Sequence, residues 1–199
     1  MRVALRTFPA VLLCAVLTLS ACGGSDDADP SADVGSTTTG SGPALPEQAT
    51  ADESEWVELT DEPSGIRFKM PEPTEPQADS ATMPDGTPVT LRQYSLLTER
   101  DVELGVNVID TPGTDYDFDA GIDGVAGTLD GEVISTAETE VGGDPAVDVE
   151  ISYGEGYIVF FRLVTGEEHI VQSLASGPES ERAAVRRTHR RLSESVAGH

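Results

Sequence analysis

Lysine is almost absent from this 199-residue chain: Lys69 is the single one among twelve cationic side chains, set against 36 acidic ones. The resulting net charge of −24 speaks against a nucleic-acid partner, whose phosphates would repel the chain. It also speaks against adhesion to anionic lipid by net charge alone. Cysteine is as scarce, with only Cys14 and Cys22, so beyond residue 22 no disulfide can staple a domain and a packed core must stabilise it. His169, His189 and His199 do not cluster and have no thiol beside them, so no metal set is evident. There is no G-x-S-x-G elbow, P-loop or dinucleotide fingerprint, so no catalytic residue and no cofactor is expected. Long hydrophobic runs are missing too. The apolar stretch over residues 8–19 is shorter than the ~20 residues that span a bilayer.

That stretch has another use. Arg2 and Arg6 precede it, and Leu19-Ser20-Ala21-Cys22 closes it. A charged start, a short apolar run and small residues before a cleavage point form a secretory signal over residues 1–21. Its end resembles the lipobox of bacterial lipoproteins. The resemblance implies cleavage after Ala21 and a diacylglyceryl group on the Cys22 thiol, which would hold the protein on the outer, extracytoplasmic face of the cell membrane. Residues 22–54 are Gly, Ser, Thr, Pro, Ala and acid, too poor in aliphatic bulk to offset ordering entropy. They read as a disordered tether, with a root-mean-square reach of about 30 Å for a flexible chain of this length.

Residues 55–199 read as a single globular domain. Strands are expected at 56–59, at 66–70, where Ile66, Phe68 and Met70 alternate with Arg67 and Lys69, at 89–96, and at 104–109. Residues 71–88 carry five prolines and read as a loop. Further strands follow at 132–141 and 146–152; in the latter Val147, Val149 and Ile151 face one way and Asp148, Glu150 and Ser152 the other. The run GYIVFFRLV over 156–164 is apolar on both faces, as in a central strand covered on both sides, and 169–175 is its hairpin partner.

The stretch DYDFDAGIDG poses a choice between a calcium loop and a helix. In an EF-hand register starting at Asp115, Asp117, Asp119 and Asp123 take ligand positions, but Ala120 stands where the sharp turn needs glycine and Ala126 where the bidentate Glu belongs. Starting at Asp119 puts Gly121 at a ligand position. The helix reading fits better: Phe118, Ile122, Val125 and Leu129 form one apolar face, with Asp115 or Asp117 as cap and Gly131 as terminator. The four aspartates are then weak divalent-cation candidates at most.

Residues 178–196 read as a closing helix with Val185, Thr188, Leu192 and Val196 inward. Arg182, Arg186, Arg187, Arg190 and Arg191 put half of the ten cations downstream of Cys22 on this one element. Dipole complementarity and neutralisation of nearby acids account for them as structure. As function, they would form a docking stripe for an acidic envelope protein or an anionic envelope component, a phospholipid headgroup or a wall phosphate.

The pieces GIRFKMPEP, DFDAGIDGVAGTLDGE, GGDPAVDVEI and FFRLV…HIVQSL, in this order, resemble the Mog1/PsbP-like fold, and among envelope proteins the LpqN/LpqT-type lipoproteins of actinobacteria. The resemblance implies an α/β (α+β) sandwich, an antiparallel sheet flanked by helices, with no active-site signature to carry over. The closing helix of such proteins often ends near Ser-Phe, where this chain has Ser195-Val196. The expected role is a non-enzymatic binding or accessory module of the envelope; the alternatives are an envelope hydrolase or transferase with a dispersed site, or a carrier of a small apolar ligand. Cys22→Ala should abolish lipidation, because no other thiol follows the signal. Metabolic labelling with a fatty-acid probe checks this, and label retained by the variant would refute the anchor.

Overall fold

The computed structural model describes residues 55–82, 88–98, 100–111 and 116–198. The signal, Ala21, Cys22, the tether 22–54, Asp115 and His199 lie outside them. A hairpin comes first, β1 (Val57–Asp61) with β2 (Ile66–Met70). Seven strands then build one antiparallel sheet: β3 (Gln77–Thr82), β4 (Pro88–Leu97), β5 (Glu103–Asp110), β6 (Gly131–Val141), β7 (Asp144–Tyr153), β8 (Tyr157–Thr165) and β9 (His169–Pro178). Their spatial order is β3-β4-β5-β9-β8-β7-β6. Helix α1 (Phe118–Leu129) joins β5 to β6, and α2 (Arg182–Ser193) closes the chain after a single 3₁₀ turn.

The two-faced run at 156–164 is the key to this architecture. As β8 it lies between β9 and β7, with Val159, Phe161 and Leu163 on one face and Ile158 and Phe160 on the other. Each face has its own core. On one, α1 lays Ile122 and Val125 against Val149, Ile151 and Phe161. On the other, α2 contributes Val185 and Leu192, and the β1–β2 hairpin adds Ile66, Phe68 and Met70. Burying some thirty apolar side chains at ~1.5–3 kcal/mol for each large one stabilises the domain without a disulfide. Gly177 on β9 allows the close approach of α2: a Cβ there would stand 2.9 Å from Val185 Cγ2.

Most strand ends shift by one to three residues from expectation, and three other differences stand out. The proline-rich segment is not all loop, since 77–82 pairs with β4 from Gln77↔Gln93 to Thr82↔Pro88. This edge strand has no alternating apolar pattern because its backbone ladder, not a buried face, defines it. The closing helix is shorter than 178–196: Pro178 still belongs to β9, and Val196 lies beyond the helix, where Ala197 bridges back to Arg67 on β2. Helix α1 ends on Asp130 in the left-handed region (φ 48°), not on Gly131, which opens β6 where a Cβ would lie 2.8 Å from the Ser152 carbonyl oxygen.

A buried ion pair fastens the hairpin to the sheet. Asp61, at the end of β1, has no solvent exposure and receives Arg92 Nε of β4 at 2.8 Å and the Tyr94 hydroxyl at 2.9 Å. The remaining guanidinium nitrogens of Arg92 make a two-pronged contact with Asp110 at 2.6 and 2.7 Å. Burial pushes the Asp61 carboxyl up, but hydrogen bonds from Arg92, Ser64 and Tyr94 outweigh it and hold the pKa below its ordinary 3.8. Its stabilisation is therefore complete above that value and is lost as the pH falls through the lower folded value. Asp61→Ala leaves Arg92 without one of its two carboxylates and should cost about 3 kcal/mol in urea unfolding at neutral pH; a loss under ~0.5 kcal/mol would mean the hairpin is held by its apolar face alone.

Candidate functional site

The five arginines of α2 do not form one free stripe. The helix turns Val185, His189, Leu192 and Ser193 toward the sheet, which places the arginines on its two flanks and its outer side. On the β7 flank, Glu150 decides their fate. Its carboxylate is only 4 % exposed, on the face of β7 opposite Val149 and Ile151. Arg186 Nη2 donates to Glu150 Oε2 at 2.7 Å, and Arg182 pairs with Oε1 of the same carboxylate. Arg182 also lies 3.9 Å from Glu179. Arg186 further covers the Phe160 ring, its guanidinium carbon 4.9 Å from the centroid. Arg186 is thus exposed along its length while its guanidinium neutralises a buried acid.

Arg191 lies on the other flank, stacked over the indole of Trp56 at 4.5 Å. Arg187 and Arg190 remain exposed, and neither guanidinium makes an ion pair with a described residue. On β2, Arg67 and Lys69 are exposed, alternating with the buried Ile66, Phe68 and Met70. The chain leaving α2 ties the two elements together through the Arg67–Ala197 bridge and a bond from Lys69 N–H to Ser195 Oγ at 2.9 Å. The outer side of this layer thus carries Arg67, Lys69 and Arg187, interleaved with Glu55, Glu58 and Glu72, while Arg190 and Glu194 turn toward the β7 flank.

Between α2 and strands β6 to β8 runs a cleft of about 320 Å³. Asp148, Glu150, Arg162, Arg186, His189 and Arg190 line it. Arg162 grips Asp148 with two bonds of 2.7 and 2.8 Å, so these two charges cancel. His189 is 7 % exposed and places Nε2 3.2 Å from the Ser173 carbonyl oxygen. That acceptor fixes the tautomer with the proton on Nε2 and leaves Nδ1 as a lone pair. Burial lowers the imidazole pKa to about 4, so His189 is neutral at neutral pH and adds no charge to the helix.

The aspartates of DYDFDAGIDG are placed as a helix start. Asp117 caps α1 by accepting from Ala120 N at 3.1 Å, while Asp119 and Asp123 are exposed on the helix. Asp115 lies outside the described residues. Gly121 makes room for the Tyr116 side chain, whose hydroxyl would lie 2.1 Å from an added Cβ. Among the described residues, no group of three His, Cys, Asp or Glu side chains is arranged to hold a metal.

Two helices on opposite faces of an antiparallel sheet, with a hairpin beside the second, can be compared with solved folds. The solution structure of cyanobacterial PsbP (CyanoP) from Synechocystis sp. PCC 6803 superposes with a TM-score of 0.54 at 16 % identity, covering 75 % of this chain and 96 % of that one. The fold is Mog1/PsbP-like. LpqN, described as involved in cell envelope biogenesis of Mycobacterium tuberculosis, aligns at a TM-score of 0.35 and 12 % identity over 63 % of this chain and 85 % of that one, too loosely to bear on the fold. No family model and no curated protein matches the sequence.

Sequence reasoning gathered the arginines of this PsbP-like domain but missed Glu150 as their partner. The signal was available, since Glu150 falls on the face of β7 away from Val147, Val149 and Ile151. Arg186→Glu sets a carboxylate against Glu150, with Arg182 left to compensate in part, and should cost about 2 kcal/mol. Arg187→Glu should stay within about 0.5 kcal/mol. Chemical unfolding of the two variants checks the contrast, and equal stabilities would contradict the assignment of Arg186.

Proposed function

We propose that this protein is a lipid-anchored, extracytoplasmic accessory module of the bacterial cell envelope that acts by contact rather than by turnover. The anchor follows from the signal ending in Leu19-Ser20-Ala21-Cys22, and the contact surface from the layer formed by α2 and the hairpin. One observation carries the reading: in a chain of net charge −24, Arg187 and Arg190 stand exposed on α2 with no ion pair to a described residue. A tether confines the domain near the membrane and raises its effective concentration toward neighbours there. A weak charged surface then suffices.

The alternative of an envelope hydrolase or transferase draws on the cleft, where Asp148, Glu150 and His189 converge and the histidine pKa is displaced to about 4. Both carboxylates are engaged by arginines, which favours contact over catalysis. An apolar-ligand carrier finds little support in a cleft lined by so many charges.

Affinity capture from native membranes with the mature chain, its proteins and lipids both identified, tests the role. Arg187→Glu/Arg190→Glu should lose the captured component while keeping its melting temperature within a few degrees. Unchanged capture by that folded variant would move the contact surface elsewhere, and turnover of an envelope substrate by the wild type would replace the accessory reading.

A further inference from the structure

The seven-stranded sheet is open, and its two ends differ. One end is β3, of six residues; the other is β6, of eleven, paired to β7 on one side and to no described strand on the other. Every residue from Ile134 to Glu140 is exposed, while β7 beside it buries Val147, Val149 and Ile151. An edge strand turns the N–H and C=O groups of alternate residues outward, where they template pairing with another chain. Such edges are commonly blunted by shortness, proline, lysine or a bulge. β6 is long against the ~5–6 residues of a usual strand and holds neither proline nor lysine. Its one bulge sits near the start, between Val133 and Ser135. From Ser135 to Glu140 the register with β7 runs without interruption.

The side chains of this stretch select a partner. Thr136 stands opposite Val149 and Glu138 opposite Val147, so Thr136, Glu138 and Glu140 form a row on the α1 face. Ser135 and Ala137 stand opposite Glu150 and Asp148 on the other face, where they line the cleft. Ile134, at the bulge, is 45 % exposed, and only Leu97 is its equal among the large apolar side chains of the described residues. The charged residues of β6 are all acids: Glu132, Glu138 and Glu140. Pairing with a second copy would run the same acids along one ladder, between two chains that each carry −24, and like charges across a strand pair destabilise it. The complement is an extended segment with cations at alternate positions and apolar residues between them. The net charge draws the same kind of segment from a distance.

We infer that β6 is a recognition edge, which takes as an additional strand an extended, cationic segment of another protein, with Lys or Arg side chains beside Glu138 and Glu140 and apolar ones on the cleft face. Main-chain hydrogen bonds supply the affinity and the alternate side chains choose the partner. This contact is separate from Arg187 and Arg190 and does not depend on the lipid anchor, so each surface fails or stands by itself.

The mature chain, residues 22–199, is titrated with a short synthetic peptide of alternating Lys and Val, and the backbone amide resonances of the protein are followed. Shifts should centre on residues 134–140. Two further forms of the peptide carry N-methyl groups, on every Lys in one and on every Val in the other. They have the same charge but block opposite edges of the peptide, so one should bind like the parent and the other should bind roughly ten-fold more weakly or worse. Glu138→Lys/Glu140→Lys should weaken the parent peptide about ten-fold, with the circular dichroism of the variant unchanged. Equal binding by the two methylated forms would reduce the contact to charge attraction and overturn the inference. Absence of binding, or shifts centred away from β6, would overturn it as well. Shifts at β6 that grow with protein concentration before any peptide is added would assign the edge to a second copy, against the inference.

Discussion

The contact between Glu150 and the α2 arginines organises the functional half of this domain. A carboxylate buried to 4 % exposure needs cations, and α2 delivers two of them from one flank. Burial costs a charge its hydration, so a pair of this kind adds less stability than its short distances suggest. Its value lies in placement. It fixes the rotation of α2 over β8 and β9, sends His189 and Leu192 into the interior, and leaves Arg187 and Arg190 outside. The same rotation opens the cleft on the β7 side and brings Arg191 onto Trp56 on the other.

Much of the fold could be read from pattern alone. The strand at 66–70 alternates so cleanly that its bounds agree with those of β2, and the two-faced run at 156–164 announced a central strand. The face Phe118, Ile122, Val125 and Leu129 identified α1 against the calcium alternative, and all four pack into one core. What escaped was set by tertiary partners. Strand β3 has the sequence QADSAT, in which nothing apolar alternates, and it exists through its ladder with β4. The Asp61–Arg92–Asp110 cluster joins residues 31 and 18 positions apart, and each residue taken singly looks like surface charge. His189 looked like one more polar residue on a charged helix; its burial depends on Phe160 and the Ser173 carbonyl of two other strands.

The candidate site was legible as composition and illegible as geometry. Counting arginines found the right helix, yet a helical wheel treats all exposed positions alike. Only the strand beneath decides that Arg182 and Arg186 answer to Glu150 while Arg187 and Arg190 answer to nothing within the described residues. The proposed contact surface therefore rests on the difference between two arginines one residue apart.

The claim that the α2–β2 layer is the working surface is tested most directly by hydrogen exchange of the mature, membrane-attached chain compared with the same chain free in solution. On vesicles prepared from the native envelope, added protection should fall on peptides covering residues 66–70 and 187–197, with α1 unchanged. Protection centred on α1 or on β6, with the α2 peptides exchanging as in solution, would contradict the account.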